Sequence, residues 1–162
     1  MAKYDFKEDL IEGEKGEHAV IKDLESMGAE FISNNKDNRY DVKMKINGKE
    51  IKYEIKTDVY CKPDWDTNNI FIEYECRGKK SGIEVTEAKW FVTYFKYLRE
   101  IWYIQTETLK HLLNMNKFHT TEFSGDNGSN TKGYLMPRYR FKKHFIIRRV
   151  IKNWDITGRS NP

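Results

Sequence analysis

Cysteine is scarce: Cys61 and Cys76 are the two in the chain, and they stand in no metal-ligand spacing. No disulfide framework or zinc site is expected, and both are read as reduced thiols. Long apolar runs are missing as well. No stretch approaches the roughly 18 apolar residues a membrane helix needs. The amino terminus, with Lys3, Asp5, Lys7, Glu8 and Asp9, lacks a signal-peptide apolar segment. The expectation is a cytoplasmic protein with no membrane partner. His111 and His119 stand without neighbouring ligands, there are no internal repeats, and no P-loop spacing implies nucleotide binding.

What is present reads as one domain, residues 1–162, with a core over about 10–110. With 38% hydrophobic and 33% charged residues, the chain has material for a core under a charged surface. The net charge of +4 is unevenly spread. From residue 132 on, nine Lys and Arg stand against one acid, Asp155, so this segment carries +8 and everything before it about −4. The basic segment, 132–159, interleaves Tyr134, Tyr139, Phe141, Phe145 and Trp154 among its cations. Such a run is commonly a solvated face, and it is also what a nucleic-acid backbone attracts.

The informative stretch runs from Arg39 to Lys56. Asn47-Gly48 lies between two alternating runs, the pattern of a two-residue β-hairpin whose turn needs positive φ at both central residues. With Ile46 opposite Lys49, the register places Asp41 directly across from Glu54. Val42, Met44, Ile46, Ile51 and Tyr53 then share one face. Asp41, Lys43, Lys45, Lys52, Glu54 and Lys56 share the other. Two carboxylates roughly 5 Å apart destabilise a sheet unless positive charge stands between them. A divalent cation is the natural candidate, with Lys56 beside it.

Upstream, apolar residues at helical spacing predict a helix from about Phe6 to Met27, with Leu10, Val20, Ile21, Leu24 and Met27 on its stripe and Gly28 as its stop. Glu17 lies in line with that stripe. Either it sits at the edge and reaches water, or it points at the Asp41/Glu54 site, which is the favoured alternative. Ala29 to Ser33 is expected as a short strand. Asp58, at the hairpin's end, is expected in solvent. Asn69 to Arg77 is expected as a central strand with Glu73 and Glu75 as candidate outer ligands, although an ion-paired or solvated glutamate is the commoner case. Arg77-Gly78-Lys79-Lys80-Ser81-Gly82 is expected as a flexible loop able to approach phosphates. Thr86 is expected as an N-cap for a short helix ending near Trp90. Strands follow over Trp90–Tyr94 and Ile101–Gln105, then a helix over Glu107–Met115, a loop over Ser124–Gly133, and mixed structure over Tyr134–Trp154 ahead of a frayed tail.

Asp41 followed by Glu54-Ile55-Lys56 on the next strand resembles the PD-(D/E)XK nuclease superfamily, with Tyr40 where the family name has proline. Gly16-Glu17 and the amphipathic run to Met27-Gly28 resemble its Holliday-junction-resolvase branch. The segment from Phe71 through Gly82 to Trp90 is similar to a group of small bacteriophage members. The resemblance covers roughly Glu14 to Phe95. It implies an α/β, restriction-endonuclease-like core, a mixed central sheet flanked by helices, and a metal-dependent DNA endonuclease acting on branched DNA. It further implies Mg²⁺, with Mn²⁺ as substitute, held by Asp41, Glu54 and the Ile55 carbonyl. Lys56 would orient or help deprotonate the attacking water, and Glu17 would complete the shell. Arg77, Lys79, Lys80 and Ser81, with Arg138, Arg140, Lys142 and Lys143, are the expected DNA-backbone contacts. A homodimer would be needed to cut two strands symmetrically. A restriction-type or single-strand-acting nuclease, or a non-cutting nucleic-acid-binding protein on the same fold, remain as alternatives.

Overall fold

The computed structural model describes residues 6–35, 37, 39–123 and 130–150. Helix α1 spans Phe6–Ser26. It ends where Gly28, at φ 93°, turns the chain in a conformation that side-chain-bearing residues rarely adopt. Strands β1 (Glu30–Asn34), β2 (Val42–Ile46) and β3 (Lys49–Asp58) follow. The hairpin forms as its turn chemistry dictates: Asn47 and Gly48 both have positive φ, at 50° and 78°, and Ile46 pairs with Lys49. Short strands β4 (Cys61–Lys62) and β5 (Trp65–Asp66) make a small hairpin after β3. Then come β6 (Asn69–Cys76), β7 (Lys79–Lys80), β8 (Trp90–Phe95), β9 (Glu100–Gln105), α2 (Thr106–Met115), β10 (His119–Phe123), β11 (Thr131–Pro137), α3 (Arg138–Phe141) and β12 (Ile146–Arg149).

The molecule is mixed α/β. A six-stranded sheet runs β1-β2-β3-β8-β9-β12, and its β3–β8 pair is parallel while the other pairs are antiparallel. A four-stranded sheet runs β10-β11-β6-β7. Two apolar clusters divide between the faces of the large sheet. Ala19, Val20 and Leu24 of α1 pack on Val42, Met44, Tyr53, Ile55, Val92, Tyr94, Ile101 and Tyr103. On the opposite face Phe91, Phe95, Trp102 and Ile104 meet Ile70, Ile72 and Met136 of the second sheet with Leu109 and Leu112 of α2. Along β3 the alternation of strand side chains therefore sends Tyr53 and Ile55 beneath α1 and leaves Glu54 and Lys56 on the other side. A half-buried ion pair fastens the α1 layer. Asp23, fully buried, accepts from Arg148 Nε at 2.9 Å and from the Tyr103 hydroxyl at 2.7 Å.

Several expectations are corrected. Strand β6 belongs to the second sheet rather than the central one, and that sheet, not helices alone, covers the second face. No helix follows Thr86; the chain there is extended up to β8. The stripe of α1 is buried at Val20 and Leu24 but exposed at Leu10 and Met27. Asp58 is buried, its carboxylate accepting the Tyr60 N–H at 2.8 Å, and burial pushes its pKa up to about 6. The stretch Arg77–Gly82 is not a flexible loop: Arg77 and Gly78, both at positive φ, form a tight turn between β6 and β7. Of the expected Ser124–Gly133 loop, Thr131–Gly133 lies in β11, and residues 124–129 are outside the described residues, as are Lys152, Trp154, Asp155 and Arg159. Among the described residues no helix is long and apolar enough to cross a membrane.

Candidate functional site

The hairpin ladder stops one residue short of the expected Asp41–Glu54 pair. Its last rung is Val42 opposite Tyr53. The Asp41 N–H donates instead to the Tyr53 carbonyl at 2.9 Å, while the Asp41 carboxylate accepts the Ile55 N–H at 2.6 Å. The carboxylate thus takes the place of the missing strand at the opened edge of β3. The Ile55 carbonyl, on the same side of the strand as its N–H, opens onto the same gap. Asp41 and Glu54 are brought together, but by a side chain folding onto β3 rather than by facing each other across the sheet.

Glu54 is held at both ends. One oxygen lies 3.3 Å from Lys56 Nζ, and the other lies 3.2 Å from the Thr86 hydroxyl. Glu54 is 4% exposed, whereas the Lys56 side chain keeps 35% of its surface in solvent.

Glu17 joins from α1, and Gly16 is the reason. A Cβ at Gly16 would stand 1.7 Å from the Thr57 hydroxyl, so only glycine lets α1 lie this close to β3. That approach brings Glu17 within the electrostatic influence of Asp41, Lys56 and Glu54. A fourth carboxylate comes from the second sheet. Between Gly133 opposite Glu73 and Lys132 opposite Glu75, Tyr74 is an extra residue on β6, a bulge of the kind that re-aims neighbouring side chains. The Glu73 carboxylate acts on both Lys56 and Asp41. Glu75 does not join; it pairs with Lys132 at 2.8 Å.

Four carboxylates around one ammonium leave the cluster with excess negative charge. Burial first, then Asp41 and Glu14, raise the Glu17 carboxyl to about 7. Burial likewise raises Glu54 to about 7, Lys56 opposing and Asp41 adding to it. Asp41 is raised by burial against the pull of Lys56 and the Ile55 N–H. Burial disfavours the Lys56 ammonium, but Glu54, Glu73 and Asp41 outweigh it and hold the amine charged, above the ordinary lysine range. Near neutral pH the site can exchange protons for a cation. The donors are all oxygen, which suits a hard divalent ion. Among the described residues no three Asp, Glu, His or Cys side chains converge to hold a metal between them. An ion here would take one or two carboxylates and complete its shell with a backbone carbonyl and water, a composition that fits Mg²⁺.

The expected backbone contacts divide. Arg77, Lys79, Lys80, Arg140, Lys142 and Lys143 are exposed. Arg138 is not available: it is 1% exposed, forms a bidentate pair with Asp66 and lies over the Phe95 ring at 5.2 Å. Ser81 is buried too, its hydroxyl without a hydrogen-bond partner. Thr86 is the site neighbour that sequence reasoning missed, because its contact with Glu54 spans 32 residues and no local pattern marks it. The chain was compared with family models, with curated proteins and with solved structures, and none of them matches.

Proposed function

We propose that the chain is a metal-dependent endonuclease of the PD-(D/E)XK type, with a restriction-endonuclease-like core, that hydrolyses phosphodiester bonds in DNA. The observation that carries this is the Glu54–Lys56 pair on β3 with the Asp41 carboxylate seated on the Ile55 N–H between them, carboxylates gathered at one lysine ammonium. Asp41, Glu54 and the Ile55 carbonyl would hold Mg²⁺ or Mn²⁺, and Glu17 would ligate it or fix one of its waters. When bound, that ion supplies Lewis-acid charge to the scissile phosphate and lowers the pKa of a bound water.

The residues of the chain do the rest. Lys56 is held charged by its carboxylate neighbours, so it acts as a hydrogen-bond donor and a positive charge toward the phosphate and the attacking water, rather than as a proton acceptor. Asp41, half-buried, and Glu54, buried, are fixed by hydrogen bonds and keep their geometry without reorganising during the reaction. The exposed Lys79, Lys80, Arg140, Lys142 and Lys143 offer backbone contacts whose strength depends on salt. Glu17 on the first helix favours branched DNA as substrate, cut by a homodimer.

The test is incubation of wild-type protein and Lys56→Ala with labelled four-way junction, linear duplex and single-stranded DNA, with and without Mg²⁺ or Mn²⁺. Metal-dependent cutting by the wild type, reduced about 10²- to 10³-fold in the variant, is expected. Equal DNA binding by both with no product from either would overturn catalysis and leave a binding protein.

A further inference from the structure

We infer that the Thr86 hydroxyl is the positioning group that sets the spacing of Asp41 and Glu54. The inference rests on the metal-site reading above and names a residue that the Asp41/Glu54-Ile55-Lys56 pattern does not contain. Thr86 is 8% exposed, and three contacts converge on its one oxygen. Glu54 Oε2 lies at 3.2 Å, the Arg39 carbonyl at 3.1 Å, and the Ala88 N–H donates to it at 3.2 Å. The single hydroxyl proton has both acceptors within reach.

The two acceptors lead to the two candidate ligands. Glu54 is gripped directly, at the oxygen that Lys56 leaves free. Arg39 stands two residues before Asp41 in the chain, and its carbonyl also accepts the Glu87 N–H at 2.6 Å, so residues 86 and 87 clamp the segment that delivers Asp41. Thr86 is itself anchored from the other sheet. Its N–H donates to Gly82 at 2.9 Å, and Gly82, at φ +52°, lies so close to the Glu73 carbonyl that a Cβ would stand 2.3 Å from it. One short segment thus lies against the second sheet through its backbone and joins the strand carrying Glu54 to the entry to Asp41 through the Thr86 oxygen. Carboxylate ligands are oriented by hydrogen bonds from outside the metal shell, and loss of such a partner typically weakens metal binding about 10- to 100-fold.

The test is Mn²⁺ binding by titration calorimetry, without DNA, on wild type, Thr86→Val and Thr86→Ser, with metal-free melting temperatures as the control for folding. The expected result is an Mn²⁺ dissociation constant about 10- to 100-fold weaker in Thr86→Val and close to wild type in Thr86→Ser, which keeps the hydroxyl. Wild-type affinity in a folded Thr86→Val would overturn the inference and leave the nuclease reading standing. Equal loss in both variants would show that retaining the hydroxyl does not retain the site, and would overturn it as well. Absence of Mn²⁺ binding by the wild type would remove the metal-site reading and the inference together. If Thr86→Val does not fold, Thr86→Cys takes its place, since a thiol is a weak donor in the same position; tight Mn²⁺ binding by that variant would overturn the inference.

Discussion

Replacing Glu54 with glutamine should stabilise the metal-free protein at alkaline pH and leave it unchanged in acid. The native state raises this carboxyl from 4.5 to about 7, chiefly by burial. The folded form therefore holds its proton more tightly than the unfolded chain does. The resulting stability is complete below pH 4.5 and is lost as pH rises through about 7. A change of roughly two and a half pH units, at about 1.36 kcal/mol each, comes to about 3 kcal/mol lost by pH 8. Glutamine cannot ionise, keeps the side chain's volume and can still meet the Thr86 hydroxyl, so it escapes that loss. For a chain of this size each kcal/mol moves the melting temperature by about 2–4 °C, so Glu54→Gln should melt about 6–12 °C above wild type at pH 8 and at the same temperature at pH 4.5. Differential scanning calorimetry in EDTA across that range reads the difference directly. A variant that melts no higher than wild type at pH 8 would refute the claim that burial in the native state holds the Glu54 carboxyl above its ordinary range.

Mg²⁺ should protect the wild type against heat more at pH 8 than at pH 5.5, because Glu17 and Glu54, both raised to about 7, must lose protons before they ligate; equal protection at both pH values would count against a carboxylate site. Gly16→Ala should cost about 1–3 kcal/mol in denaturant unfolding, since its Cβ would fall 1.7 Å from the Thr57 hydroxyl and α1 would have to move away from β3. Arg138→Ala should destabilise by about 2–5 kcal/mol, because it empties the space of a fully buried side chain packed over Phe95, yet leave the salt dependence of DNA binding unaltered. Lys142→Ala with Lys143→Ala should do the reverse, preserving the melting temperature and lowering the salt slope of DNA affinity by about 2 if both lysines neutralise phosphates.

The hairpin was legible in the sequence because its determinants are local: Asn47-Gly48 takes positive φ at both positions, and alternation fixes which residues share a face. Helix α1 and its glycine stop were legible by periodicity, and Glu17 stood out because a carboxylate in line with an apolar stripe conflicts with it. The basic count at the carboxyl terminus was equally plain, but which cations remain on the surface was not. Arg138 and Arg148 look like their neighbours in sequence, and only the folded chain brings Asp66 and Asp23 to pair with them and buries Arg138.

Local chemistry therefore specifies the β2–β3 hairpin, its register, and the presence of Asp41, Glu54 and Lys56 at its open end, since turn geometry and strand alternation act over a few residues. How those groups meet depends on long-range packing. The break in the ladder at Val42, the seating of Asp41 on the Ile55 N–H, the approach of α1 at Gly16, the bulge that brings in Glu73 and the grip of Thr86 on Glu54 each join elements far apart in the chain. Such contacts form where separately folded surfaces pack, and no local pattern of residues encodes their distances.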